Sequence, residues 1–138
     1  MNVYGIKKVD TLASKATIAC SLRYSWRDAR LMWDPSKFGN IKTTRLNTEP
    51  GSGTHYIWTP DIEGYENANT RLNDGLRRGL AQVSNTGEVY VDLNGNIVAN
   101  INMILEKYPY DTQNIDFTIT SWAYTASEIF LYPAGDDP

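Results

Sequence analysis

The chain of 138 residues is 41% apolar and 21% charged, one domain's worth of polypeptide with enough apolar side chains for a core. Thirteen basic against sixteen acidic side chains give a formal charge of −3, without the basic excess of a phosphate-backbone binder, so no nucleic acid is expected as partner. No apolar run approaches the roughly 20 residues that span a bilayer, and Met1-Asn2-Val3-Tyr4-Gly5 lacks the basic-then-apolar pattern of a signal peptide.

The first clear element runs from Ala16 to Trp26. Ala16, Ile18, Cys20, Leu22, Tyr24 and Trp26 fall on one face, and Thr17, Ala19, Ser21, Arg23 and Ser25 on the other. That period of two predicts a half-buried antiparallel strand with Cys20 facing the core. Pro50 to Thr54 reads as a Gly/Ser loop, and Asn69 to Val83 as strand plus loop. The i, i+4 spacing of Leu72, Leu76 and Leu80 in that stretch is weakened as a helix signal by Gly75 and Gly79. Ser84-Asn85-Thr86-Gly87 is a turn before the alternating Val89, Val91 and Leu93.

Leu93-Asn94-Gly95-Asn96 then reads as a hairpin turn, with Ile97, Ala99, Ile101 and Met103 as the return strand. Ile115, Phe117 and Ile119 predict a later strand, and Ile129-Phe130-Leu131-Tyr132 another. Four Trp, nine Tyr and three Phe, with turn signals about every ten residues, point to an all-β sandwich. The last apolar strand has no evident successor before Pro138, so the expected sandwich is incomplete at its C-terminal end and leaves an edge to be covered.

Candidate chemistry is sparse. Cys20 is the lone cysteine and excludes an internal disulfide or a Cys-based zinc site. His55 is the lone histidine, in a Gly/Ser loop without a Gly-x-Ser-x-Gly elbow or an identifiable carboxylate pair. The chain is therefore expected not to be an enzyme, with no catalytic residues, no metal site and no cofactor.

Three segments carry more information: Trp26-Arg27-Asp28-Ala29-Arg30-Leu31-Met32-Trp33-Asp34-Pro35, then Trp58-Thr59-Pro60-Asp61-Ile62-Glu63-Gly64-Tyr65-Glu66-Asn67, and Tyr108-Pro109-Tyr110-Asp111-Thr112-Gln113-Asn114 followed by Ser121-Trp122-Ala123-Tyr124. Read as packing chemistry, Trp26, Trp33 and Trp58 are core and strand-edge residues. Asp28 and Asp61 satisfy backbone donors at turns or pair with an arginine such as Arg30, and Pro60 and Pro109 fix turn geometry.

In this order the segments resemble the extracellular ligand-binding domain of the pentameric ligand-gated (Cys-loop) channels, shared with the soluble acetylcholine-binding proteins. They match the patterns W-x-D-x-R-L-x-W-x-P, W-x-P-D-x-x-x-Y-x-N and F-P-[FM]-D-x-Q with S-W-x-Y. The resemblance implies one immunoglobulin-like antiparallel β-sandwich domain over residues 1–138, an extracellular location, and assembly with other copies or homologous subunits into a ring, expected to be a pentamer. It also implies that the family's amino-terminal helix and later strands, with their ligand-capping loop, lie outside this chain.

The family's paired loop cysteines fall on Ile101 and Ile115. A disulfide there contributes about 3 kcal/mol. Two buried isoleucines contribute roughly 1.5–3 kcal/mol each, so the fold is expected to be indifferent to reductant.

The resemblance further places a ligand site between subunits. Tyr65, Trp122 and Tyr124 match the principal face, and a tryptophan face there meets a cationic nitrogen. Ser21 stands on the complementary face where an aromatic is usual, with Arg23, Tyr90 and Asp92. Arg23 coincides with an arginine that grips carboxylates in amino-acid-gated relatives, and Asp92 can equally neutralise it. The bland alternatives, a packed strand-end tryptophan for Trp122 and a solvated arginine for Arg23, stand beside these roles. The resemblance therefore implies a non-catalytic module for a small cationic or zwitterionic neurotransmitter-type ligand, bound weakly or not at all by this chain alone. The alternative is a structural or assembly protein that keeps the sandwich and ring interfaces without ligand.

Overall fold

The computed structural model describes residues 1–48, 56–65, 75–77 and 79–133. The Gly/Ser loop at Pro50–Thr54, His55, and Glu66 and Asn67 of the second motif lie outside the described residues. The strands are β1 (Asn2–Asp10), β2 (Lys15–Arg27), β3 (Thr43–Asn47), β4 (Ile62–Gly64), β5 (Leu76–Arg77), β6 (Leu80–Ser84), β7 (Glu88–Asn100) and β8 (Ile119–Ser121). Hydrogen bonding orders the larger sheet β1-β2-β7-β6-β3 with β5 added on β7, and pairs β4 with β8 separately. The all-β class expected of the sequence is the one found. Among the described residues no helix is long and apolar enough to cross a membrane.

The chain divides into two compact units, one of Met1–Ser21, Pro60–Arg77 and Gly95–Pro138, the other of Leu22–Thr59 and Arg78–Asn94. In the first, β1 pairs antiparallel with β2 from Asn2↔Ser21 to Asp10↔Lys15, with irregularities at Val3/Gly5 and Ile6/Lys8. The connecting turn is closed by Asp10 Oδ1, which accepts from the Ala13 backbone at 2.9 Å. Ala16, Ile18, Cys20, Ile62, Leu76, Ile97, Ala99 and Ile101 are this unit's buried apolar residues. Ala16, Ile18 and Cys20 are alternate positions of β2, and Ile97 and Ala99 of β7, as a period of two selects, while Ile62 comes from β4 and Leu76 from β5.

In the second unit β3 pairs with β6 from Thr43↔Ser84 to Asn47↔Leu80, and β6 with β7 through Gln82↔Tyr90 and Val83↔Val89. Leu22, Ala81, Val83, Val89, Val91 and Leu93 are buried. The turn from β6 to β7 needs Gly87, whose φ is +82° and whose N–H donates to Ser84 O at 2.9 Å. A Cβ there would lie 2.6 Å from the Asp28 carbonyl oxygen. Asp28 accepts from the Arg30 backbone at 3.0 Å to start a 3-10 turn at Ala29–Leu31, and Asp34 does the same for Pro35–Lys37.

Several expectations are corrected. Leu93-Asn94-Gly95-Asn96 is not a hairpin turn, and Ile97–Met103 is not a return strand. β7 runs unbroken from Glu88 to Asn100. The odd-numbered residues Val89, Val91, Leu93, Ile97, Ala99 and Ile101 stay buried on one face throughout. Gly95 is needed because the backbone just before β5 lies against it, not because the chain reverses: a Cβ on Gly95 would run into the Gly75 carbonyl oxygen, and one on Gly75 into that of Asn96. The later strand begins only at Ile119, and Ile129–Tyr132 forms no strand. β1, whose residues are almost all exposed, left no period for the sequence to reveal.

Candidate functional site

The principal-face residues lie on the β4–β8 ribbon of the first unit. Ile62 pairs with Ser121, Glu63 with Thr120 and Gly64 with Ile119, and Tyr65 N–H extends the ladder to Thr118 O at 3.0 Å. Antiparallel partners share a side, so Glu63, Tyr65, Thr118 and Thr120 face away from Ile62 and Ile119. Phe117 packs under the ribbon, its Cζ 2.5 Å from where a Cβ on Gly64 would stand. Tyr65 is 74% exposed at one end and Trp122 76% exposed at the other, their backbones separated by four residues or roughly 13 Å of strand. Glu63 falls between them in register. Its i−2 spacing from Tyr65 is the one sequence signal that places it on the same side.

Asp61 fixes the Trp122 end. Its carboxylate accepts from Ser121 Oγ at 2.6 Å, Trp122 N at 3.0 Å and Ala123 N at 2.5 Å, while Ser121 Oγ accepts from Tyr124 N at 3.1 Å. Burial alone would raise the Asp61 carboxyl's pKa, but the Ser121 hydroxyl and the backbone donors outweigh it and hold the group below its ordinary value. The turn 121–124 is thus held by polar bonds while the Trp122 indole stands in solvent. Tyr124 is exposed beside it in sequence.

The complementary-face residues fare unevenly. Ser21 is fully buried between Cys20 and Leu22, and its Oγ lacks a hydrogen-bond partner. It does not stand on a solvent-facing polar face with Arg23, since Ser21 is buried while Arg23 is exposed. Arg23 Nε donates to Asp92 Oδ2 at 2.9 Å across β2 and β7 of the second unit, and Asp92 Oδ1 accepts from Asn94 at 3.2 Å. Tyr90 stands exposed two residues before Asp92.

The remaining motif residues are structural. Trp26 stacks on Tyr24 at 5.8 Å and meets Trp58 edge-on at 6.1 Å, and Trp33 Nε1 donates to Ile41 O at 2.8 Å. Asp28 binds Arg30 through both carboxylate oxygens, at 2.9 and 2.6 Å. Ile101 is buried and Ile115 half-buried. Between them the Gln113 amide clasps the Ile104 backbone, donating to its O at 2.8 Å and accepting from its N at 3.1 Å. The Gln113 amide also donates to Asp111 at 2.6 Å.

A model of the neurotransmitter-gated ion-channel ligand binding domain matches residues 1–138. Among relatives, the chain is 32% identical over 110 residues to the acetylcholine receptor subunit beta of Xenopus laevis, covering 80% of this chain and 21% of that protein. It is 33% identical over 125 residues to the Xenopus laevis subunit alpha-1-A, covering 85% of this chain and 24% of that one. To the neuronal subunit beta-2 of Carassius auratus it is 31% identical over 119 residues, covering 83% and 24%. The chain spans about a quarter or less of the length of these curated relatives. They are receptor subunits and not enzymes, in agreement with the non-catalytic expectation. With its all-β fold, its three motifs in register and the match along its whole length, the chain belongs to the neurotransmitter-gated ion-channel ligand binding domain family.

Proposed function

We propose that the chain is the non-catalytic, ligand-recognising domain of a pentameric receptor or soluble binding protein, taking a neurotransmitter-type small amine or amino acid. The observation that carries this reading is Trp122, an indole 76% exposed at the end of β8 on a turn held by Asp61. An aromatic face this exposed to water costs apolar exposure, which a cationic ligand on that face removes. Glu63 and Tyr65 on the β4–β8 ribbon, and Tyr124 in the turn after β8, add negative charge and aromatic surface. Arg23, Tyr90 and Asp92 of a neighbouring copy form the facing wall, in an extracellular ring of identical or homologous subunits, with residues 1–138 acting as one domain in that assembly.

The test is a titration of acetylcholine, nicotine, glycine, glutamate and GABA followed by tryptophan fluorescence, with light scattering to size the particle. Weak quenching by at least one ligand, saturating only in the millimolar range, is expected, with a ring-sized particle. A monomer that shows no quenching at millimolar ligand would refute the reading. The buried Ser21, where a recognition side chain is expected, favours one alternative: a scaffold that retains the assembly and not the ligand. A ring-sized particle without quenching would establish that.

A further inference from the structure

Trp26 and Trp58 belong to the packing of the second unit, and they also wall a cavity. It has a volume of about 340 Å³ and is lined by Trp26, Arg27, Asp28, Ala29, Arg30 and Trp58, all residues of that unit. Small-molecule pockets begin at roughly 300 Å³, so the cavity suits a ligand with a single ring. The two indoles, 84° apart with centroids at 6.1 Å, form an aromatic corner. A third ring entering there gains stacking and edge contacts together. Tyr24, stacked on Trp26 at 5.8 Å, holds that ring in place. Trp58 remains 40% exposed, apolar surface that such a ring would cover.

Charge decides which ring. Asp28 is already satisfied by Arg30, accepting from its Nε at 2.9 Å, its Nη2 at 2.6 Å and its backbone N–H at 3.0 Å. The Asp28 N–H donates to Gly87 O at 2.9 Å, so this wall is fixed by backbone as well. Arg27 has no ion-pair partner among the described residues. The cavity thus carries one guanidinium in excess, which attracts a carboxylate and repels an ammonium group. We propose that this cavity is a second small-molecule site, taking a single-ring aromatic carboxylate with its ring against Trp26 and Trp58 and its carboxylate toward Arg27. The proposal does not depend on the amine reading of Trp122, where Glu63 supplies the opposite charge. The cavity is open and Arg27 exposed, so binding falls in the millimolar range.

The experiment follows the four indole Nε1–H signals of the full chain by NMR. Sodium benzoate, benzylammonium chloride and sodium acetate are titrated separately at constant ionic strength. Trp26 Nε1 has no hydrogen-bond partner, so its signal reports directly on a change at the ring. Benzoate is expected to shift Trp26 and Trp58 saturably and to leave Trp33, bonded to Ile41, in place. Benzylammonium keeps the ring with the opposite charge, and acetate keeps the charge without the ring. Each is expected to bind at Trp26 and Trp58 at least about tenfold more weakly than benzoate. Arg27→Gln should weaken benzoate binding about threefold to tenfold, and Arg27→Lys by less, with the native spread of indole signals showing that both variants fold. Trp26 and Trp58 signals that stay still at tens of millimolar benzoate would overturn the proposal. So would benzylammonium binding there as tightly as benzoate, benzoate affinity unchanged in Arg27→Gln, or all four indoles shifting together.

Discussion

The Asp61 carboxylate accepts the Trp122 backbone N–H at 3.0 Å while the Trp122 indole points away into solvent. A tryptophan in a core is held by its ring, whereas this one is held by its peptide group. Asp61→Ala strands the Trp122 and Ala123 amides and the Ser121 hydroxyl, and is expected to cost about 2 kcal/mol, measured by urea denaturation. Amine binding should fall more steeply than stability, because the indole loses its fixed position.

Acid should weaken the fold through the same group. The Asp61, Asp28, Asp10 and Glu128 carboxyls all lie below their ordinary values, the last three mainly through hydrogen bonds to Arg30, Ala13 and Thr125 respectively. A depressed carboxyl pKa adds stability that is fully present above the unfolded value near 4. That stability disappears as pH falls through the folded value. Thermal denaturation is therefore expected to show a flat neutral region and a loss below about pH 4. Asp61→Asn should flatten part of that acid limb.

How far the fold was legible depended on period. Ala16 to Trp26 and Val89 to Leu93 show their alternation in sequence, and both are strands with the expected faces buried. β1 buries almost nothing, so its residues follow no pattern that sequence could reveal. Asn94-Gly95-Asn96 has turn chemistry, yet Gly95 serves a close backbone approach by Gly75, a contact distant in sequence. Gly95→Ala is expected to destabilise by about 2–3 kcal/mol, since the Gly75 carbonyl is backbone and cannot rotate aside. Denaturant unfolding checks this, and an unchanged midpoint would refute the close approach.

The candidate site was legible only as motif. Tyr65, Trp122 and Arg23 are singled out only by the resemblance of the motifs, which does not show that Arg23 is bound to Asp92 or that Ser21 is buried. Those depend on which strands become neighbours. For Glu63 the sequence offers only its i−2 spacing from Tyr65, and the β4–β8 register is what puts it between Tyr65 and Trp122.

Loop 101–115 carries no covalent closure. Its substitute is the Gln113 amide on the Ile104 backbone together with the Ile101 side chain in the core. Gln113→Ala is expected to cost about 1–2 kcal/mol and speed hydrogen exchange at the Ile104 amide about tenfold or more.

Burial raises the pKa of the Cys20 thiol and shields it from reagents. Its alkylation in the native protein should be limited by unfolding, and the melting temperature should not change with reductant. A melting temperature that drops sharply on adding reductant would show that a disulfide through Cys20, formed between chains, contributes to stability.

The most direct measurement is the indole Nε1–H spectrum of the four tryptophans during titration with acetylcholine. The Trp122 signal should shift saturably, while those of Trp26 and Trp58, packed together, and Trp33, bonded to Ile41, stay in place. A Trp122 signal that does not move at millimolar acetylcholine, or one that moves only together with the packed three, would contradict recognition at Trp122.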